Sequence, residues 1–217
     1  MRLVRLAALV SLAVVALLAA VRSGLVVRGI RSLDRRGGLF AHRGASAYAA
    51  GSGIFAGLHE RVARDAAASL SQGGVVIDVE TGPGRLVARL SALRPDARVI
   101  GVEPSTEMRR LALGNGAETV DGRAEALPLP DASVDLAVST LSAHHWDDPV
   151  AAFRDLSRVL RTGGKARIYD VRFAGFGPAE ARRIAAAAGL DPSRVERRVL
   201  EERLFGFRPY ALITLHP

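Results

Sequence analysis

Val75-Val76-Ile77-Asp78-Val79-Glu80-Thr81-Gly82-Pro83-Gly84 is the stretch on which the fold turns. Its first half is apolar except for Asp78, the pattern of a short strand buried on both faces of a parallel sheet. Its second half carries Gly82 and Gly84, and the run Arg85-Leu86-Val87 behind them suits the start of a helix. Glycine permits a tight turn and close approach of backbone to a ligand, and a helix N-terminus offers free N–H groups. A loop that needs glycine only for its own geometry reads the same way, so the turn by itself does not identify a ligand.

Outward from this turn the chain alternates between helical and strand patterns. Residues 55–70 repeat Phe55, Leu58, Val62 and Ala66 at helical spacing and stop at Gln72-Gly73-Gly74. A helix over residues 85–93 follows the turn, and Arg94-Pro95-Asp96 ends it. Strands are expected at 98–102, 118–121 (weak), 134–140 and 166–171. Helices are expected at 106–113, 150–160 (closed by Thr162-Gly163-Gly164) and 178–188. Residues 195–203 and 209–215 read as a closing hairpin with no helix between them, an antiparallel addition at one edge. The alternation predicts an α/β fold with a Rossmann-like, mostly parallel sheet and helices on both faces. Ligands in such sheets bind at the carboxyl ends of the strands.

Glu103 ends the strand 98–102, about 20 residues past the glycines, where an acidic side chain can accept both ribose hydroxyls of an adenosine. A dinucleotide fingerprint needs a third glycine at position 87, which is Val87. A Tyr-x-x-x-Lys pair is also absent, since Lys165 is the sole lysine. A nicotinamide-dependent reductase is therefore disfavoured. The run Gly122-Arg123-Ala124-Glu125-Ala126-Leu127-Pro128-Leu129-Pro130-Asp131 and the strand Val134-Asp135-Leu136-Ala137-Val138 complete a pattern with Asp78–Gly84 and Val102-Glu103-Pro104-Ser105. In order and spacing the pattern resembles the class I S-adenosylmethionine-dependent methyltransferases. It is most similar to their small-molecule branch, which contains the ubiquinone and menaquinone C-methyltransferases. The resemblance covers roughly residues 58–169.

The resemblance implies a seven-stranded sheet whose last strand is antiparallel, and S-adenosylmethionine as cofactor. It implies that Gly82 and Gly84 face the methionine moiety, that Glu80 and Thr81 belong to the same cofactor-binding turn, that Asp78 orients the turn, and that Glu103, followed by Pro104, holds the ribose hydroxyls. Ala124 and Glu125 then flank the adenine, and Ser139 lies near the methionine end. The chain departs from the family pattern at Glu80, where the family has glycine. A carboxylate there adds bulk and negative charge beside the cofactor's own carboxylate, which is unfavourable at short range. Two functions are carried forward: methyl transfer to a small, lipophilic acceptor, and a non-catalytic Rossmann-like module that binds a ligand or partner through an altered loop.

Ser142-Ala143-His144-His145-Trp146-Asp147-Asp148-Pro149 follows the strand 134–140 and faces the cofactor in this topology. His144 or His145 can act as general base, since an imidazole exchanges protons near neutral pH. Equally, both histidines and Trp146 can wall the pocket. A metal site built from His144, His145, Asp147 and Asp148 is disfavoured, because adjacent side chains do not converge on one ion. Tyr48, His59, Phe173, Phe176, Phe205 and Phe207 are further candidates for the pocket wall, with core packing as the competing reading.

The 217-residue chain has no cysteine, which excludes disulfides, zinc–thiolate sites and thiol nucleophiles within it. Its formal charge is +8, but residues 1–47 hold eight arginines and one acid, so residues 48–217 keep only +1. A nucleic-acid surface is not indicated there. Residues 6–21 carry no charge and as a helix span roughly 24 Å, short of a bilayer core of about 30 Å unless flanking Leu3, Val4, Leu25, Val26 and Val27 extend it. Residues 1–27 read as an uncleaved membrane anchor. A cleaved leader lacks a good small-residue site near Ala20, and a core helix would be amphipathic. Membrane lipid is then met through this N-terminal helix, residues 28–47 read as a basic linker, and residues 48–217 as the domain. Arginines are denser after the apolar segment than before it, which leaves the domain on the cytoplasmic side.

Overall fold

The apolar run Val75–Val79 forms β1, an interior strand of a seven-stranded sheet. The computed structural model describes residues 55–172, 175–202 and 208–217. The anchor and linker expected over residues 1–47 lie outside the described residues, as do Tyr48, Phe173, Phe205 and Phe207. Among the described residues no helix is long and apolar enough to cross a membrane.

The remaining elements follow in chain order around β1. Helix α1 (Ala56–Ser69) precedes it, and α2 (Arg85–Leu93), β2 (Arg98–Val102), α3 (Thr106–Gly114) and β3 (Thr119–Val120) follow. Then come β4 (Val134–Thr140), α4 (Pro149–Val159), β5 (Leu160–Val171), α5 (Pro178–Ala187), β6 (Val195–Val199) and β7 (Tyr210–Leu215). The spatial order is β3-β2-β1-β4-β5-β7-β6. Strands β1 to β5 pair in parallel, and β7 runs antiparallel to both β5 and β6. The mostly parallel sheet and its antiparallel closing strand are as expected.

Side-chain alternation along the strands divides the core in two. Ile77, Val79, Ile100, Val102, Ala137 and Ile168 face one layer, which packs with Phe153 and Leu156 of α4 and Ala181 and Ala185 of α5. Val76, Val99, Leu136, Val138 and Tyr169 face the other, against Leu58 and Val62 of α1 and Leu86 and Leu90 of α2. Burying each such branched or aromatic side chain contributes about 1.5–3 kcal/mol before entropy is counted. The expected helical periodicity of residues 55–70 is thus the seam between α1 and this second layer.

Local chemistry explains where several elements stop. Arg94 donates to the carbonyls of Ala67 (2.8 Å), Leu70 (2.7 Å) and Ser71 (2.8 Å), occupying orphan acceptors at the end of α1. Ser105 caps α3 by accepting from the Met108 N–H, and Asp148 caps α4 by accepting from Val150 and Ala151 at 3.0 Å each. Thr162-Gly163-Gly164 differs from expectation. It does not end α4, which stops at Val159; it lies inside β5, which starts at Leu160, with Gly163 at φ 82°. The β4–β5 ladder shifts register between Val134 and Leu136 to absorb the irregularity.

Candidate functional site

Register aligns the strand ends. Val79 pairs with Val102 on β2 and with Ser139 on β4, so Glu80 and Glu103 leave the sheet level with Thr140, the last residue of β4, on the carboxyl edge. The N–H groups of Glu80 (2.7 Å) and Thr81 (3.2 Å) both donate to the Val102 carbonyl, which holds the turn on β2. Asp78, 3% exposed, accepts from the Thr81 hydroxyl at 2.5 Å, so it orients the turn directly.

The turn alternates left-handed residues: Glu80 at φ 58°, Gly82 at 57° and Gly84 at 74°. The two glycines serve different ends. A Cβ at Gly84 would lie 2.7 Å from Ala117 Cβ and 2.8 Å from Ala112 Cβ, so this glycine lets α2 start against α3. A Cβ at Gly82 would meet nothing within 4 Å. Gly82 therefore borders open space, the cradle a bound molecule would fill. The left-handed φ at Glu80 accounts for the family's glycine there, since a side chain in that region is strained by about 1–2 kcal/mol.

Glu103 lies at the end of β2, as its position in sequence predicts, and is 6% exposed. One carboxylate oxygen accepts from the Gly82 N–H at 2.8 Å and the other from the Ser105 N–H at 2.9 Å. Each oxygen keeps a further lone pair for a ligand hydroxyl. Pro104 follows, half-buried. Ala124 is fully buried among Ile100, Val102 and Leu127, so only its backbone can address a ligand. Glu125 Oε1 accepts from the N–H groups of Asp147 (2.8 Å) and Asp148 (3.2 Å), tying the segment after β3 to the loop after β4. Its Oε2 is buried without a hydrogen-bond donor, 3.6 Å from the Arg123 guanidinium.

Beyond β4, Ser139 is 1% exposed and bonds to the Ser142 hydroxyl at 2.7 Å, while Ser142 donates to the Val79 carbonyl at 3.2 Å. Thr140 Oγ1 is a buried oxygen with no partner. His144 and His145 form a short 3-10 turn with ring centroids 4.0 Å apart. His144 Nδ1 lies 2.7 Å from Asp170 of β5. Trp146 is 2% exposed and packs with Phe153 and Phe176, so Trp146 and Phe176 belong to the core rather than to a pocket wall. His59 stays on its own helix, its Nδ1 3.1 Å from the Phe55 carbonyl, and burial lowers its pKa.

Sequence reasoning missed Thr140, Ser142 and Asp170. Asp170 had a signal: like Asp78 it is a lone carboxylate at the end of an apolar strand, Ile168-Tyr169-Asp170.

The turn concentrates acid where water is scarce. Burial pushes Asp78 up to about 7, against the opposing Thr81 hydrogen bond and with a further rise from Glu103. Burial pushes Glu80 up to about 8, helped by Glu103, Glu125 and Asp147 and opposed by Arg123. Burial also raises Glu103, partly offset by the N–H groups of Ser105 and Gly82. Two features fit an adenosyl group: the open cradle at Gly82 beside the Glu103 carboxylate, and the unsatisfied Glu125 oxygen that an amino group would complete.

Comparison with known proteins agrees with this geometry. Residues 77–168 match the methyltransferase domain family model. The chain is 37% identical over 127 residues to a malonyl-[acyl-carrier protein] O-methyltransferase of Hahella chejuensis, covering 55% of this chain and 45% of the relative. It is 35% identical over 115 residues to a demethylmenaquinone methyltransferase of Roseiflexus castenholzii, covering 51% and 48%. The chain thus spans about half the length of these relatives. A TehB-like S-adenosylmethionine-dependent methyltransferase of Corynebacterium glutamicum superposes with a TM-score of 0.60 at 19% identity, covering 78% of this chain and 96% of that one. Residues 77–168 are thus similar to a methyltransferase domain, the sheet has the fold of a solved S-adenosylmethionine-dependent methyltransferase, and the carboxyl-edge residues fit S-adenosylmethionine as cofactor.

Proposed function

We propose that the chain transfers a methyl group from S-adenosylmethionine to a small, lipophilic acceptor. One observation carries this reading: the buried Glu103 carboxylate is locked by the Gly82 and Ser105 N–H groups beside the open face of Gly82. When bound, the cofactor supplies an electrophilic methyl carbon on a sulfonium. The chain's own task is chiefly alignment, which can itself contribute several kcal/mol to the rate.

In this reading Glu103 holds the ribose hydroxyls, with Pro104 shaping the bend behind it. Gly82 and Thr81 border the methionine moiety. Gly84 and Asp78 keep the turn in shape. Glu125 Oε2 and the Ala124 backbone address the adenine. Ser139 fixes Ser142 and thereby the loop that carries His144 and His145, either of which can hold a proton. The relatives' names, a malonyl-[acyl-carrier protein] O-methyltransferase and a demethylmenaquinone methyltransferase, support an acyl or a quinone-type acceptor without choosing between them. The uncharged residues 6–21 and the arginines after them support a membrane tether with the domain on the cytoplasmic side.

The test is calorimetry with S-adenosylmethionine and S-adenosylhomocysteine, followed by labelled-methyl profiling against quinol precursors, lipids and small phenols. Heat with both and label in one acceptor class are expected; no heat with either defeats the proposal. Membrane attachment is checked on the full chain, which should resist a carbonate wash.

Glu80 supports a second reading, a binding module without turnover, because it sets a carboxylate into a glycine-shaped niche beside Glu103. Cofactor binding without label transfer to any acceptor, in the natural chain but not in Glu80→Gly, would favour it.

A further inference from the structure

Asp170 has no place in the cofactor scheme, yet it is among the most constrained side chains in the molecule. It is 3% exposed, one residue before the end of β5. Its carboxylate accepts the backbone N–H of His144 at 2.9 Å and that of Val171 at 2.6 Å, and it meets His144 Nδ1 at 2.7 Å. One carboxylate therefore grips both the main chain and the ring of the same histidine. Gly175 closes over it: a Cβ there would come within 3.0 Å of Asp170 Cβ.

The loop carrying His144 is fastened at both sides. Leu141, at φ 60°, donates to the Tyr169 carbonyl on β5 at 2.7 Å, and Ser142 donates to the Val79 carbonyl on β1 at 3.2 Å. Val79 immediately precedes Glu80, so the histidine is anchored to the same strand end that opens the cofactor turn. A carboxylate only accepts hydrogen bonds, so the ring proton of neutral His144 sits on Nδ1 and the basic lone pair on Nε2.

We propose that Asp170 is a positioning residue that fixes the tautomer and direction of His144, making His144 Nε2, and not His145, the proton acceptor of the reaction. With it goes an acceptor class, a hydroxyl that arrives protonated, since a carboxylate is already ionised and needs no base. The acceptor O–H bond breaks and its proton passes to Nε2. The electron pair so released forms the new O–C bond as the C–S pair returns to sulfur, and the imidazolium then yields its proton to water. The inference rests on the methyl-transfer reading above.

The first test needs no acceptor. Two-bond proton–nitrogen spectra of the full chain with nitrogen-15 histidine should show His144 with hydrogen on Nδ1, and Asp170→Asn should move it to Nε2, because the asparagine amide donates. An Nε2–H tautomer in the natural protein overturns the pairing, whatever the variant does. The second test uses labelled S-adenosylmethionine with phenol and benzoate as probes. Phenol should be methylated with an acid limb in its pH–rate profile. Both His144→Gln and Asp170→Asn should lower kcat on the order of 100-fold and abolish that limb. KM for phenol and the affinity for S-adenosylhomocysteine should hold. Methylation of benzoate alone overturns the proposal, and so does an Asp170→Asn variant that loses rate but keeps the acid limb. Failure of the natural protein to bind S-adenosylhomocysteine defeats methyl transfer instead, and the tautomer spectra still decide whether Asp170 orients His144.

Discussion

Gly82 and Gly84 look alike in sequence, and the structure separates them by what lies beyond their Cα atoms. Gly84→Ala drives a methyl group into Ala112 and Ala117 and should cost about 2–4 kcal/mol from overpacking plus left-handed strain. Gly82→Ala meets no atom of the protein, so its cost should be the strain alone, about 1 kcal/mol, while cofactor affinity falls sharply. Thermal unfolding and calorimetry on the two variants check this; equal melting temperatures would contradict the division of labour. Glu80 carries a pH signature. Its carboxyl rises from 4.5 to about 8 in the fold, so the folded state binds that proton more tightly than the unfolded chain. The associated stability is present in acid and is lost as pH climbs from about 4.5 towards 8. Asp78, raised from 3.8 to about 7, adds in the same direction over a lower window. Glu80→Gln should flatten the decline measured by urea unfolding from pH 5 to 8.5. Affinity for S-adenosylhomocysteine should fall in the natural chain between pH 6.5 and 9, as a second charge appears beside Glu103, and stay level in Glu80→Gly.

At the scale of elements, side-chain staples fix segments that backbone pairing leaves loose. Arg158 on α4 donates to the carbonyls of Leu127 and Leu129 at 2.9 Å each, and pairs with Asp131 and Asp155 at 2.7 Å. Asp155 in turn accepts the Leu127 N–H. The segment following Glu125 has almost no strand pairing of its own, so this guanidinium holds it against the sheet. Arg158→Met should cost about 2 kcal/mol, because it strands acceptors that are partly buried. It should also loosen adenosyl binding, read as a rise in the S-adenosylhomocysteine dissociation constant without loss of the folded baseline. How much was legible in the sequence follows the same division. Apolar strands β1, β2 and β4, and the carboxylates Asp78 and Glu103 at the ends of the first two, were readable, because burial on both faces leaves a continuous apolar run that an acid interrupts. Thr162-Gly163-Gly164 was misread as a helix stop, because two glycines after a helix signal a cap and a strand irregularity equally well. Asp170 was passed over because its partner, His144, is 26 residues away, and only the β4–β5 pairing brings them together. Ala124 shows the converse: its place in the sequence was found, but that its methyl group turns into the core depends on packing that no local pattern records.

Over the whole molecule, the parallel body and the antiparallel edge depend on one another. Strand β7 pairs with β5 from Ala166↔Leu215 to Val171↔Tyr210, and with β6 from Val195↔Leu215 to Val199↔Ala211. The strand made last in the sheet is therefore an interior one, and the one made before it stands outside. Residues 195–199 have no partner to dock on until residues 210–215 have been synthesised and have entered. During translation the parallel body can assemble while β5 still shows an open edge beside Asp170. The loop that carries His144 must then wait for the final strand before the edge next to it is sealed. A ribosome pausing between those two strands would thus hold a nascent chain with its cofactor turn already built and its flank still exposed, a natural point of attack for proteases or of capture by chaperones.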